Sequence, residues 1–356
     1  VGKTILADLR RGDLKSSFTR DLRELYDFYL DEDARERLKK MRRGRRFFLR
    51  AWWILKNLIL NLSPIRRLLL VISLWLGLLQ GQYSFTLGQA NMHVDLRLPG
   101  FILLLIILML ELKDKLLARS ELEVGRTVQR ALLPETNPTL AGWDLLLYTR
   151  PANEVGGDLV DYHALSDGTL ALVLGDVSGK GLGAALLMAK LQATLWAVAG
   201  GFSSLAELGA RMNAIMCRDG LPGRFATLVY LEVPPEGGTV RVLNAGHMPP
   251  VVIGGERPKD LKPVAPPLGI VPDAAYAEQR LDVRPGQMVV VYSDGLTEAV
   301  SESGEFYGDG RLRRLLPRIQ SLSTQAACEV ILSEVKSFIG EARYSDDLSL
   351  VLLRRK

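Results

Sequence analysis

"LGDVSGKG", residues 174–181, sets an aspartate, a serine, a lysine and three glycines between an apolar strand-like run and an apolar helix-like run. Three readings compete. It is a loop that cradles a nucleotide phosphate, a turn that delivers a metal-binding carboxylate, or a sharp strand-to-helix connection with no chemistry. A Walker loop needs G-x4-G-K-[ST]. Here three residues separate Gly175 from Gly179, and Lys180 is followed by Gly181 instead of a hydroxyl residue. A dinucleotide fingerprint G-x-G-x-x-G fails too, because Gly179, Gly181 and Gly183 run G-x-G-x-G.

The carboxylate reading gains from what surrounds other aspartates. Asp176 ends "TLALVLGD", whose alternating positions are apolar on both faces. Asp158 follows paired glycines in "EVGGDLVDYH", Asp294 ends "MVVVYSDG", and Asp346–Asp347 precede the terminal run "LSLVLL". "GGD" at 156–158 overlaps the GGDEF signature of diguanylate cyclases, but Leu159 and Val160 replace its Glu-Phe. Four segments thus place a carboxylate at the tip of an apolar strand or beside glycines, where a packed sheet would draw them together at one edge. Bare carboxylates near a core repel and are costly to desolvate. Cations remove that cost, and an all-oxygen donor set suits Mg²⁺ or Mn²⁺. The three histidines, His93, His163 and His247, do not favour a His-based zinc site.

Around these aspartates, residues from about 143 onward alternate short apolar runs ("WDLLLYT", "TLALVLGD", "FATLVYLEV", "TVRVLNAG", "QMVVVYSD", "LSLVLL") with helical stretches at 182–199, 204–218, 309–320 and 324–341. Two helices follow one strand and hairpin-like strand pairs follow those, which predicts an α+β fold with mostly antiparallel strands. The two cysteines, Cys217 and Cys328, exclude a disulfide framework and fit a reducing compartment.

The 356 residues leave room for more than one domain, and the front of the chain differs in kind. Residues 1–67 hold 18 Lys and Arg against 9 Asp and Glu, whereas the whole chain carries only +5. Such a basic segment points to an anionic membrane surface or nucleic acid. Apolar sequence follows at once, so the expectation is the membrane and no nucleic acid. "VGKT" at 1–4 lacks the glycine of a nucleotide loop, and no secretory signal opens the sequence.

Residues 1–64 are expected to form a basic helical or interfacial segment, with 47–62 apolar but interrupted by Arg50 and Lys56. Residues 65–112 are expected to form a two-helix transmembrane hairpin. The first apolar stretch, 68–79, reaches the ~20 residues of a span only if 80–87 is added. The second, 101–110, is short. Positive residues flank the pair on both outer sides, which places both ends in the cytoplasm. Residues 113–134 read as an amphipathic linker helix with Leu110, Leu117, Val124 and Ala131 seven apart, either packed on the following domain or paired in a coiled coil, and ended by Pro134. Residues 135–356 are expected to form the α+β domain.

Taken in order, "PANEVGGDLVDYH", "LVLGDVSGKGLGAALLMA", "NAGHMPP", "PLGI", "VVVYSDGLTEAVSESGEFYG" and "YSDDLSLVLL" resemble the bacterial PP2C-like serine/threonine phosphatases of the RsbU/SpoIIE type, in the PPM superfamily. The resemblance covers roughly residues 125–356 and not 1–110. It implies a two-sheet antiparallel β-sandwich flanked by helices, here preceded by a helical membrane-associated region, with two Mn²⁺ or Mg²⁺ ions at one end. By the motifs, Asp158, Asp176, Asp294 and Asp346 would be metal ligands, with Val177 offering its carbonyl and Asp347 the rival for the last place. Asp161, Gly157 and Gly295 would stand behind the ligands, Asp161 orienting a metal-bound water. Asp176 would hold the water that attacks phosphorus.

A histidine of the eukaryotic branch is replaced by Ser178, and the phosphate-binding arginine has no clear counterpart. Ser178, Lys180, Asn153 and Arg150 are candidate phosphate contacts, and His247 is expected to be structural. The implied substrate is a phosphorylated, STAS-like anti-anti-sigma protein. A membrane-tethered enzyme with its catalytic domain on the cytoplasmic side of a bacterial membrane is expected, paired as a homodimer through the linker helix. The alternative is a catalytically weak scaffold that binds a phosphoprotein.

Overall fold

The computed structural model describes residues 49, 52–53, 55–57, 59–78, 82–87, 90–95, 97–220 and 223–356, so nearly all of the expected basic segment 1–64 lies outside the described residues. The chain divides into two compact units, Val1–Leu117 and Ala118–Lys356.

In the first unit, α1 (Pro64–Leu78) is followed by strands β1 (Gln82–Leu87) and β2 (Ala90–Asp95) and by the start of α2 (Arg97–Leu132). Among the described residues the first apolar segment is helical over Pro64–Leu78, and residues 82–87, counted above toward a span, pair antiparallel with Ala90–Asp95 instead. Fifteen helical residues rise about 22 Å, short of the ~30 Å of a hydrocarbon core. Helices α1 and α2 meet at a small-residue contact. The Ser73 hydroxyl donates to the Gly100 carbonyl at 2.7 Å, and a Cβ on Gly100 would stand 3.0 Å from the Ser73 carbonyl oxygen. Arg66 closes one end with ion pairs to Glu111 at 2.6 Å and Asp114 at 2.7 Å. Leu68, Val71, Trp75, Phe101, Leu105 and Leu108 are left exposed. The second apolar segment and the linker are one continuous helix.

The second unit opens with β3 (Trp143–Arg150), β4 (Leu159–Ala164) and β5 (Leu170–Val177), followed by helices α3 (Leu182–Val198) and α4 (Leu205–Asp219). Then come β6 (Ala226–Val233), β7 (Thr239–Ala245), β8 (Val251–Ile253), β9 (Lys259–Asp260), β10 (Glu278–Asp282) and β11 (Met288–Tyr292). The short α5 (Asp294–Thr297), α6 (Gly308–Ile319), α7 (Thr324–Ile339) and β12 (Leu348–Arg355) complete it. The strands form two five-stranded sheets, β10-β7-β6-β5-β4 and β3-β12-β11-β8-β9, each paired antiparallel throughout. The expected strands and the four expected helices all form. The sequence reading missed β4, β8, β9 and β10, which are short or carry polar residues.

Side-chain alternation explains why the strands look apolar on both faces. On β5, Leu170, Leu172 and Leu174 join the core between the sheets, while Ala171, Val173 and Val177 join the core under α3 and α4. On β12, Val351 and Leu353 face the first core and Leu348, Leu350 and Leu352 the core under α6 and α7. With helices over both outer faces the central strands β5, β6, β11 and β12 have almost no solvated face, so the period-2 signal disappears into continuous apolar runs. Helix α3 explains one further reading. Among the described residues, Leu182–Gly201 is the one stretch long and apolar enough to cross a membrane, yet Ala184, Leu187, Met188, Leu191 and Leu195 are buried in the domain core.

Candidate functional site

The sandwich brings the ends of β5, β11 and β12 to one edge, and with them the aspartates. Asp176 lies on β5 one residue before its end, Asp294 opens α5 just past β11, and Asp346 and Asp347 precede β12. Asp158 precedes β4, which pairs with β5 so that Leu159 faces Gly175. Electrostatic coupling confirms the gathering. Burial first, then the charges of Asp294, Asp346 and Asp347, push the Asp176 carboxyl up to about 7. Burial and then Asp346 and Glu298 push Asp294 up to about 6. Asp158 is only 4% exposed; burial and then Asp176 hold it well above the carboxylate range.

The two neighbouring aspartates have different surroundings. Asp347 accepts the Ala152 amide at 2.7 Å on Oδ1 and the Gly157 amide at 2.6 Å on Oδ2, and its carbonyl accepts the Ser293 hydroxyl at 3.0 Å. Asp346 turns one oxygen to the Asp347 amide at 3.0 Å and the other to the Lys180 ammonium at 2.9 Å. Lys180 is further held by the Ser345 carbonyl at 3.0 Å. Glycines permit this crowding. A Cβ on Gly295 would stand 2.0 Å from the Asp347 carbonyl oxygen, and one on Gly156 would stand 2.5 Å from Asp347 Oδ2. A Cβ on Gly157 would stand 3.0 Å from the Val177 carbonyl oxygen.

Other candidate residues have different engagements. Asp161 Oδ2 accepts Gln192 Nε2 and Trp196 Nε1, both at 2.6 Å, and Oδ1 accepts the Tyr162 amide at 2.8 Å. It ties β4 to α3. The Ser178 hydroxyl accepts the Phe225 amide at 2.9 Å, which holds the turn after β5 to the segment before β6. The Arg224 guanidinium, which the sequence reading missed, crosses Gly179 and donates to the Ser178 carbonyl at 2.8 Å. Asn153 lines a larger cavity discussed below.

His247 lines a 190 Å³ cavity with Asp176, Thr227 and Asp294. Its Nε2 faces the Tyr292 carbonyl at 3.2 Å and its Nδ1 the Thr227 hydroxyl at 2.7 Å. A carbonyl only accepts, so Nε2 carries the proton and Nδ1 accepts. Burial pushes the imidazole down to about 4. His247 is therefore neutral and links the two sheets through β6 and β11, as expected of a structural residue.

The end of α2 also reaches the site. Buried Gln129 grips the Gly156 backbone on both sides, donating to its carbonyl at 2.7 Å and accepting its amide at 3.0 Å. The Gln192 amide donates to the Leu132 carbonyl at 2.7 Å. Val124 and Val128, by contrast, are 63% and 58% exposed. Within the second unit the helix packs through Gly125 and Gln129, not through the apolar stripe that the heptad spacing marks. No sequence signal distinguishes a glutamine with this task from a solvated one.

Among the described residues, no three His, Cys, Asp or Glu side chains are already gathered closely enough to hold an ion. The donor chemistry nonetheless fits hard cations. The donors are all oxygen, and buried Asp158 Oδ2 has no hydrogen-bond partner, a state that is costly unless something positive meets it.

Comparison with known proteins follows the same lines. Residues 166–356 match the family model described as stage II sporulation protein E (SpoIIE). Among curated proteins, the chain is 30% identical over 273 residues to protein IcfG of Synechocystis, covering 69% of this chain and 43% of IcfG. It is 27% identical over 248 residues to the phosphoserine phosphatase RsbU of Bacillus subtilis, covering 67% of this chain and 71% of RsbU. The chain thus spans less than half the length of IcfG. Among solved structures, the RsbU and RsbW domains of a Mycobacterium tuberculosis protein superpose with a TM-score of 0.54 at 26% identity, over 62% of this chain and 61% of that one. The SiaA-PP2C domain of Pseudomonas aeruginosa gives 0.61 at 20% identity, over 68% of this chain and 98% of the domain.

Proposed function

The chain belongs to the stage II sporulation protein E (SpoIIE) family, and we propose that it is a metal-dependent phosphatase that hydrolyses phosphoserine or phosphothreonine on a signalling protein. The observation that carries this reading is the convergence of Asp176, Asp294 and Asp346 at the sheet edge, where burial first and then the neighbouring charges push Asp176 up to about 7. Such a cluster is poised to take up hard dications. Asp158, Asp176, the Val177 carbonyl, Asp294 and Asp346 would hold two Mn²⁺ or Mg²⁺ ions. Asp346 is favoured over Asp347 because Asp347 is buried with both carboxylate oxygens held by backbone amides, whereas Asp346 is partly exposed and one of its oxygens is held only by the exposed Lys180 ammonium. When bound, such ions supply the charge that activates water and offsets the phosphoryl oxygens.

The chain's own residues do the rest. Asp347 and Gln129 hold the loop that carries Gly157 and Asp158. Lys180 keeps a positive charge beside Asp346, where an incoming phosphate would meet it. Neutral, buried His247 holds its proton on Nε2 against Tyr292 and takes no part as an acid. The test is hydrolysis of a phosphoserine peptide by the full chain with Mn²⁺, abolished by Asp176→Asn. Tight metal binding without turnover would sink the phosphatase reading and leave the scaffold.

A membrane tether at 65–112, a linker at 113–134 and a catalytic domain at 135–356 complete the proposal. The exposed apolar side chains of α1 and early α2 support a tether to a bacterial cytoplasmic membrane, with the catalytic domain on the cytoplasmic side. Co-flotation of the full chain with phosphatidylglycerol vesicles tests it, and a chain that stays with the soluble fraction contradicts it. The exposed stripe at Val124 and Val128 supports a homodimer through the linker. The substrate class, a phosphorylated STAS-like protein, comes from the family resemblance.

A further inference from the structure

A cavity of about 820 Å³ in the second unit is not the carboxylate site but its neighbour. One wall is the end of α2, another is the segment from Tyr148 to Val155, and Gly181 and Arg343 complete the rim. That volume is at the upper end of small-ligand pockets and suits a length of peptide. Its charge is lopsided. Arg126, Arg130, Arg150 and Arg343 line it, and Glu154 is the one carboxylate among the lining residues.

Arg126 pairs with Glu154 at 2.9 Å. Arg150 stacks over the Tyr344 ring at 4.0 Å. Among the described residues neither Arg130 nor Arg150 has an ion-pair partner. A concave wall with this surplus focuses a positive potential on whatever enters, and guanidinium groups favour carboxylates in two-point contacts. The wall is continuous with the site, since residues 150–155 run directly into Gly156, Gly157 and Asp158.

We propose that this cavity binds an acidic segment of the phosphoprotein substrate, on the side of the phosphoserine that leaves the carboxylate centre toward α2. The proposal rests on the phosphatase reading for its placement but not for its binding chemistry. The arginines would then set which phosphoproteins are dephosphorylated, while the carboxylate centre sets the reaction.

The test uses the full chain with Mn²⁺ and three probes. They are a fluorescein-labelled phosphoserine peptide flanked by glutamates, the same peptide flanked by glutamines, and p-nitrophenyl phosphate. Binding is read by fluorescence anisotropy, which needs no turnover, and hydrolysis by phosphate release. The expected result is tighter binding and lower KM for the glutamate peptide. Arg126→Ala/Arg130→Ala should erase that preference by about tenfold, the size of one or two charge-assisted contacts, with p-nitrophenyl phosphate hydrolysis unchanged. Arg130→Ala alone, at an exposed residue without a partner, should give part of the loss and guards against misfolding of the double variant.

Hydrolysis with no preference between the peptides, or a preference that both variants retain, overturns the inference while the phosphatase reading stands. Arginine-dependent binding of the glutamate peptide without hydrolysis of any probe keeps the cavity and overturns the phosphatase reading. Loss of phosphatidylserine vesicle binding in the variants, with peptide binding intact, would assign the arginines to a membrane surface and overturn the inference.

Discussion

Exchanging each of two adjacent aspartates for asparagine should produce opposite phenotypes. In Asp347→Asn, one carboxylate oxygen becomes an amide NH₂ facing a backbone N–H. One of the bonds from Ala152 at 2.7 Å and Gly157 at 2.6 Å is lost. Hydrogen bonds to a charged group contribute about 1.5–3 kcal/mol, and a buried amide left without an acceptor costs about 1–3 kcal/mol more. Burial already holds the Asp347 carboxyl above its ordinary range, and the neutral side chain recovers part of that. The net expectation is a loss of about 2–4 kcal/mol in metal-free stability. In Asp346→Asn, the ion pair with Lys180 is lost, but the partners are 35% and 59% exposed, so under about 1 kcal/mol is at stake. The asparagine oxygen can still accept the Asp347 amide.

Asp346→Asn should instead weaken Mn²⁺ binding and hydrolysis by about 100-fold or more, as loss of a direct ligand would. Urea unfolding in EDTA, followed by near-UV circular dichroism, measures the first effect, and titration calorimetry with Mn²⁺ the second. Unchanged metal-free stability in Asp347→Asn, with Mn²⁺ affinity kept by Asp346→Asn, would refute the assignment of roles.

Three further outcomes follow from the same geometry. Asp176 has its native carboxyl raised from 3.8 to about 7, so between these values the native state binds more protons than the unfolded chain and metal-free stability falls as pH rises. Asp176→Asn should therefore stabilise the metal-free protein at pH 8 by about 2–4 kcal/mol while abolishing hydrolysis, and a destabilised variant would contradict the repulsion. His247 runs the other way. Lowered from 6.5 to about 4, it makes the unfolded chain the better proton binder in that window, so its contribution of about 3 kcal/mol is present above pH 6.5 and lost toward pH 4. Urea titrations of wild type and His247→Gln in EDTA should differ by that slope, and parallel curves would rule it out. Gln129→Ala strips two hydrogen bonds from Gly156 and should cost about 2–4 kcal/mol, with weaker Mn²⁺ binding; a change within 0.5 kcal/mol in urea unfolding, an ordinary surface value, would show that the grip carries nothing.

Much of this was legible in advance because the sandwich is covered on both sides. Runs such as "LALVL" and "MVVVY" are apolar at every position, with glycine, serine and aspartate where the chain must turn, so six strands and the carboxylates beside three of them could be read from residue order. The strands that escaped notice, β4 and β10, carry Asp161, His163, Glu278, Gln279 and Arg280, and β8 and β9 hold three and two residues. The linker misled in one respect. Its heptad stripe is real, but the face against the catalytic domain uses Gly125 and Gln129, where close approach and two backbone hydrogen bonds replace apolar burial.

By itself the sequence determined the sheet-forming runs, the turn at Asp176 and the family to which its motifs belong, because strand propensity, glycine turns and aspartate spacing are local properties. Tertiary structure alone decided the surroundings of each aspartate. Asp346 and Asp347 are neighbours of one type in sequence, yet the amides that occupy Asp347 come from residues 195 and 190 positions away. Likewise Asp161 and Ser178 lie inside site motifs, and the partners folding gives them are on α3 and on the Phe225 backbone. A carboxylate's chemistry is set by which donors and charges surround it, and folding supplies those from distant parts of the chain.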